Sequence, residues 1–194
     1  FPDCGLRTII HNAADPKIFN RSGRVSLSGD RKSRIIISSW SSNWKKGFGV
    51  YQWLDQNLDF DLYDVKFIGR SPVKFKNIQQ IGPLNSIELV RDLKTADVFL
   101  AASEIESCSN SIIEALCCGL PVIFSQGSSN PELVGKGGLG FRSKEEIPSL
   151  LSKIIRDYAY FQGSIKISGL DEIGSKYYNF CKYCIACYHI QLKL

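Results

Sequence analysis

Three observations make this 194-residue sequence an α/β protein built on a doubly wound parallel sheet. Short β-branched runs alternate with stretches of helical periodicity, the signature of βαβ units. Arg34-Ile35-Ile36-Ile37-Ser38 is apolar at its centre without interruption, as a strand buried on both faces must be. Helix boundary signals also recur between the runs, with Asn85 and Glu88 spaced as a capping box and Gly119 placed to stop a helix in the left-handed region.

The elements follow in order. Thr8-Ile9-Ile10 is expected to form a short strand leading into the turn Asn12-Ala13-Ala14-Asp15-Pro16. After the Arg34 to Ser38 strand, residues 48–58 repeat Val50, Trp53, Leu54 and Leu58 at helical spacing. Val65-Lys66-Phe67-Ile68-Gly69 and residues 78–81 are two further strands. The helix capped by Asn85 runs to Ala96, with Ile87, Val90, Leu93 and Lys94 on its rows. Val98-Phe99-Leu100-Ala101 is a strand, residues 109–118 a helix, and Leu120-Pro121-Val122-Ile123-Phe124 a strand whose proline stands at its start, where no ladder donor is lost. A small strand at Leu139-Gly140-Phe141 precedes a helix over 145–158, and the chain from Asp171 onward is helical and aromatic. The one hinge is at 163–169, which divides the chain into an expected α/β domain over 1–162 and a helical tail over 163–194.

Composition narrows the function classes. With 44% hydrophobic and 22% charged residues the chain can bury a real core, which excludes a disordered tail and a disulfide-stapled scaffold. No apolar run approaches the ~18 residues of a membrane span. The net charge of +5 is spread out, and its densest clusters, Arg31-Lys32-Ser33-Arg34 and Lys45-Lys46, are too short for a nucleic-acid-binding face. Seven cysteines, an odd number, without a signal-peptide pattern point to a reduced, cytoplasmic setting. Asn20-Arg21-Ser22 matches a glycosylation sequon, a triplet common by chance. No methionine occurs anywhere, so a chain opening Phe1-Pro2-Asp3 is expected to be a piece of a longer one.

The stretch from Ser103 to Val122 carries the most chemistry. Glu106 stands in a loop after a strand, and Glu114 lies about one turn into the following helix, leaning back toward that loop. Between them Ser107 to Ser111 bring free backbone N–H groups to a helix N-terminus, an anion site. Carboxylates accept from sugar hydroxyls while N–H dipoles take phosphate charge, so the set suits a nucleotide-sugar. On spacing alone, a solvated helix residue and a loop carboxylate remain the simpler reading.

Several ordered segments add to it. Glu106, seven intervening residues, then Glu114-Ala115-Leu116-Cys117-Cys118-Gly119-Leu120-Pro121-Val122 resembles the donor-site signature of retaining GT-B glycosyltransferases of family 4 (glycosyl transferases group 1). Asn12-Ala13-Ala14-Asp15-Pro16-Lys17-Ile18-Phe19, Lys46-Gly47, Ile81-Gly82-Pro83-Leu84 before Ala96-Asp97-Val98, and Asn130-Pro131-Glu132-Leu133-Val134 before Gly138-Leu139-Gly140 are similar to that family's segments in the same order, over roughly residues 5–160. The resemblance implies the Rossmann-like C-terminal half of a GT-B enzyme, holding a nucleotide-diphosphate sugar for retaining transfer, without a metal or other cofactor. It implies that Glu106 holds donor-sugar hydroxyls, Glu114 the ribose hydroxyls, and Ser109, Asn110 and Ser111 the diphosphate through their amides. Lys46 would sit on the diphosphate oxygens, Leu84 would meet the base through its backbone, and Arg70 would line the same pocket. Glu106 and Lys46 are thus the expected catalytic pair. The acceptor, a carbohydrate or a lipid-linked one, would be bound by an N-terminal domain not in this chain, so the chain alone would bind donor and transfer nothing. The parent enzyme would be cytoplasmic, with membrane association left open.

Two positions depart from the family. Ser41 stands where an arginine is usual five residues before the lysine, leaving Lys45 or Arg70 to complete a two-cation clamp or the clamp weaker. Ser107-Cys108 follows Glu106 where glycine is common. Ser41 is the feature that favours the alternative, a catalytically degenerate GT-B domain serving as a binding or scaffold module. A dinucleotide-dependent dehydrogenase is disfavoured because no GxGxxG turn follows the first strand. Cys181, Cys184, Cys187 and His189 cluster in the tail, but with no distant second knuckle they read as a packing stripe rather than a zinc site, and His11 reads as structural.

Overall fold

The computed structural model describes residues 7–25 and 27–191, with the side chains of 189–191 left out of the description. Six strands, β1 (Ser33–Ser39), β2 (Tyr63–Gly69), β3 (Gln79–Ile81), β4 (Val98–Ala101), β5 (Val122–Ser125) and β6 (Gly138–Phe141), form one sheet in the order β3-β2-β1-β4-β5-β6. Every pairing is parallel. Helices α1 (Phe48–Asn57), α2 (Ser86–Thr95), α3 (Asn110–Cys117), α4 (Asn130–Val134), α5 (Ile147–Arg156) and α6 (Tyr158–Gly163) connect or flank the strands, and α7 (Leu170–Gln191) follows.

The period-two geometry of a strand splits the core in two. Ile35 and Ile37 of β1, Phe67 of β2, and Val98 and Leu100 of β4 pack with Phe48, Tyr51 and Leu54 of α1 and with Leu151 and Ile154 of α5. Ile36, Ile68, Phe99 and Ala101 face the other way, onto Leu89 and Leu93 of α2 and Ile112 and Leu116 of α3. The sheet is therefore covered on both faces, which is why its strands are uninterrupted apolar runs. Strand order reverses between β1 and β4, so the crevice for a ligand lies beyond their carboxyl ends.

The doubly wound sheet stands as the sequence predicts, with four local corrections. Thr8-Ile9-Ile10 is not a strand: Ile9 is 76% exposed and the segment pairs with no strand. Side-chain chemistry holds the chain just after it instead, Asn12 Nδ2 donating to Asn110 Oδ1 at 2.8 Å and Asn12 N–H to Cys108 Sγ at 3.4 Å. The buried face of α1 is Phe48, Tyr51, Leu54 and Asp55, while Val50 and Trp53 pack only at its margin. On α2 the capping box is present, but Leu89 joins Val90 and Leu93 in the core and Ile87 is exposed. The helix foreseen over 145–158 breaks at Asp157, because the Tyr158 hydroxyl donates to the Asp97 carbonyl at 3.1 Å and also meets Arg24.

Several polar residues turn out to be structural. Asp97, fully buried, accepts from both terminal nitrogens of Arg31 (2.6 and 2.9 Å) and from Arg34 N–H (2.7 Å). Arg31, the head of the densest basic cluster, is thus a core clamp, and its hydrogen bonds to Asp97 raise its pKa further. Asp55 accepts from the backbone N–H groups of Lys76, Asn77 and Ile78 at 2.7 to 2.8 Å, tying the loop before β3 to α1. Asn20 of the sequon spends its amide nitrogen on Pro16 O (3.0 Å) and its oxygen on Ser22 N–H and Lys94 Nζ. The tail is a long helix, but Cys181 is exposed and Cys184 and Cys187 only half-buried, so the thiols are not a buried stripe. The His189 side chain lies outside the described residues. Among the described residues no three His, Cys, Asp or Glu side chains gather as a metal site, and no helix is long and apolar enough to cross a membrane.

Candidate functional site

The loop leaving β1 is built to deliver one lysine. Asn43 caps the 3₁₀ turn Trp44–Lys46 by accepting from Lys45 N–H, and Gly47 closes it at φ +91°, its N–H on the Trp44 carbonyl. A Cβ at Gly47 would lie 2.3 Å from the Ala102 carbonyl oxygen, so glycine meets both the left-handed conformation and the approach of the two loops. From this turn Lys46 Nζ reaches Glu106 Oε2 at 2.6 Å.

Glu106 comes from the loop leaving β4, which is tied to the same neighbours. Ala102 N–H donates to the Tyr51 hydroxyl oxygen at 3.0 Å, and Glu104 N–H to the Lys45 carbonyl at 2.9 Å. Burial holds the Tyr51 phenol above its usual pKa, so it stays a neutral hydroxyl. The Lys46 and Glu106 side chains are 32% and 17% exposed, so the pair is partly buried yet open to a ligand.

At the start of α3 the Ser109 hydroxyl accepts from Ile112 N–H at 3.5 Å and lies 3.1 Å from the Ser111 hydroxyl. Ser109 is buried and Asn110 exposed. The first N–H groups of any helix lack intrahelical partners, so this end offers donors and a positive dipole.

Glu114 faces a cavity that Glu106 does not line. It lines this cavity of about 440 Å³ with Asn12, Asn110 and Ile113 on one side and Ile173 and Tyr177 of α7 on the other. Burial pushes its carboxyl up to about 7. The structure thus brings Lys46 to Glu106, and sets Asn110 beside Glu114 in the cavity wall. Leu84 is half-buried against the core under α2 and α3. Arg70 is exposed at the end of β2, its backbone N–H on the Ser39 carbonyl at 2.9 Å. Ser41 lies within the loop after β1, its carbonyl accepting from the Ser39 hydroxyl and its hydroxyl from Asn43 N–H.

Of the thiols near this region, Cys118 is fully buried and pushed up to about 12, and Cys117 is raised too, so neither serves as a nucleophile at neutral pH. Sequence reasoning passed over Asn43 and Tyr51. An asparagine before Trp-Lys-Lys-Gly was a legible cap, but nothing local marks a helical tyrosine as the partner of a strand-exit amide.

Residues 63–158 match the family model described as Glycosyl transferases group 1. Among curated proteins none matches the chain. Among solved structures, a glycosyltransferase from Rickettsia africae superposes with a TM-score of 0.72 at 14% identity, over 92% of this chain and 57% of that one. Anabaena Alr3699/HepE in complex with UDP-glucose gives 0.69 at 14% identity, over 92% and 57%. The C-terminal domain of a glycosyl transferase group 1 family protein from Francisella tularensis gives 0.61 at 18%, over 85% of this chain and 98% of that domain. The chain thus spans about half the length of the larger solved proteins it matches. The family model thus covers just under half of the chain, and the solved glycosyltransferases share its fold.

Proposed function

We propose that the chain is the nucleotide-sugar-binding half of a retaining GT-B glycosyltransferase of family 4. The observation that carries the reading is the Lys46–Glu106 pair at the carboxyl ends of β1 and β4, where the strand order reverses. The fold it shares with Anabaena Alr3699/HepE, solved with UDP-glucose, supports a uridine diphosphate sugar as the probe to try first.

In this reading the donor takes over the roles the pair plays for itself. The diphosphate takes the Lys46 ammonium, whose charge then stabilises the phosphate that leaves. Released from Lys46, the Glu106 carboxylate accepts from hydroxyls of the donor sugar. Ser109, Asn110 and Ser111 offer their backbone amides to the diphosphate, and Glu114 accepts from the ribose hydroxyls. Leu84 and Arg70 border the base and the outer phosphate. Lys46 and the α3 amides supply the charge stabilisation that a divalent cation would otherwise bring, so transfer is proposed to be metal-independent. The carbohydrate or lipid-linked acceptor is met by residues beyond this chain, which by itself binds donor without completing transfer, in the cytoplasm. The retained Lys46–Glu106 pair favours this over a degenerate scaffold, even with Ser41 at its position.

Thermal unfolding of the chain with and without 1 mM UDP-glucose tests the reading. A ligand at ~100 times its dissociation constant adds about 2.7 kcal/mol of stability, a rise of several degrees in Tm. An unchanged Tm with both UDP and UDP-glucose contradicts it.

A further inference from the structure

We propose that Ser129 is a positioning residue for Glu106, a role that rests on the donor-site reading above. The Ser129 hydroxyl donates to the Glu106 carbonyl at 2.8 Å, and the Ser129 N–H donates to the same oxygen at 3.3 Å.

Residues 102–109 hold no regular secondary structure, so the direction of the Glu106 side chain depends on what grips this loop. Its anchors on the β1 side, Ala102 on Tyr51 and Glu104 on Lys45, stop short of Glu106. The carboxylate itself is held by Lys46. A diphosphate that takes Lys46 removes that hold at the moment the sugar needs the carboxylate in place. The Ser129 grip acts on the Glu106 backbone and survives this exchange.

Ser129 is itself well supported. The next residue, Asn130, is fully buried and donates from Nδ2 to the Ser125 carbonyl at 3.2 Å, fixing the turn to the end of β5. Gln126 N–H continues the β5–β6 pairing onto the Phe141 carbonyl at 3.0 Å. The Ser129 carbonyl accepts from Glu132 N–H at 3.1 Å, starting α4. A Cβ at Gly127 would lie 3.4 Å from the Glu104 carbonyl oxygen, so the two loops run in contact over several residues. The arrangement is a rigid second layer that orients a ligand-binding side chain without touching the ligand.

Calorimetric titration of the full chain with UDP and with UDP-glucose separates this role from a merely structural one. For Ser129→Ala the affinity for UDP-glucose is expected to fall about five- to tenfold, the worth of one hydrogen bond, while that for UDP is unchanged. Ser129→Thr keeps the hydroxyl and is expected to restore the wild-type value. Equal UDP-glucose affinity in wild type and Ser129→Ala, equal losses for both ligands, or failure of Ser129→Thr to rescue overturns the proposal alone. A wild-type chain that binds neither ligand overturns the donor-site reading and this proposal with it.

Discussion

Lys46 Nζ and Glu106 Oε2 stand 2.6 Å apart, joining the loop after β1 to the loop after β4 across the point where the sheet reverses its strand order. Each partner occupies the charge the other would offer a ligand. Glu106→Gln frees the ammonium, so UDP, which has no sugar to engage position 106, is expected to bind this variant at least as tightly as wild type. UDP-glucose loses the charge-assisted contacts of the carboxylate and is expected to bind about tenfold more weakly. Equal losses for both ligands in a calorimetric titration would refute this division of labour.

Lys46→Ala removes the cation from the proposed diphosphate contact. A hydrogen bond to a charged group is worth about 1.5–3 kcal/mol, so UDP affinity is expected to fall about 10- to 100-fold. Tight UDP binding by this variant, measured by equilibrium dialysis, would move the phosphate site away from Lys46.

Glu114 makes stability pH-dependent. Its carboxyl titrates near 7 in the fold against a reference value of 4.5, so between those values the native state holds a proton that the unfolded chain has released. That stabilisation is complete below pH 4.5 and is lost as pH rises through 7, up to about 3 kcal/mol for this group. Glu114→Gln is expected to flatten this part of a urea-denaturation series run from pH 5 to 8. A series with the same slope in both proteins would refute the assignment.

Gly47 is expected to tolerate no side chain. Gly47→Ala sets a Cβ against the Ala102 carbonyl at φ +91°. Left-handed strain and overpacking together cost about 2–5 kcal/mol, read as a lower urea midpoint. A midpoint equal to wild type would show that the two loops part without penalty.

Asp97 illustrates what the sequence conceals. Asp97→Asn leaves Arg31 half-buried without its carboxylate, and a loss of about 3–5 kcal/mol is expected in the same denaturation assay. An Asp97→Asn protein as stable as wild type would show that the clamp contributes little.

The sheet and its order of elements were readable because strands buried on both faces are continuous apolar runs, and because Asn85, Glu88 and Gly119 mark helix ends locally. Thr8-Ile9-Ile10 misled because β-branching describes a preference, whereas a strand needs a partner, and both edges of this sheet lie elsewhere. The sequence shows Arg31 only as the head of a short basic cluster, because its partner Asp97 stands 66 residues away. At the candidate site, Glu106 and the α3 N-terminus were visible because they follow a strand end, whereas Lys46 stood out only through the family resemblance. The walls around Glu114 were not visible, since α7 and the Asn12 segment, which form them, are brought there by tertiary packing.

The central claim, that this chain binds a nucleotide-diphosphate sugar, is tested most directly by calorimetric titration of wild type and Glu114→Ala with UDP-glucose at pH 8, where the Glu114 carboxyl is ionised. The expected result is saturable one-to-one binding by the wild type and an affinity about tenfold weaker in Glu114→Ala. No heat of binding from folded wild-type protein, or identical affinities in the two proteins, would contradict it.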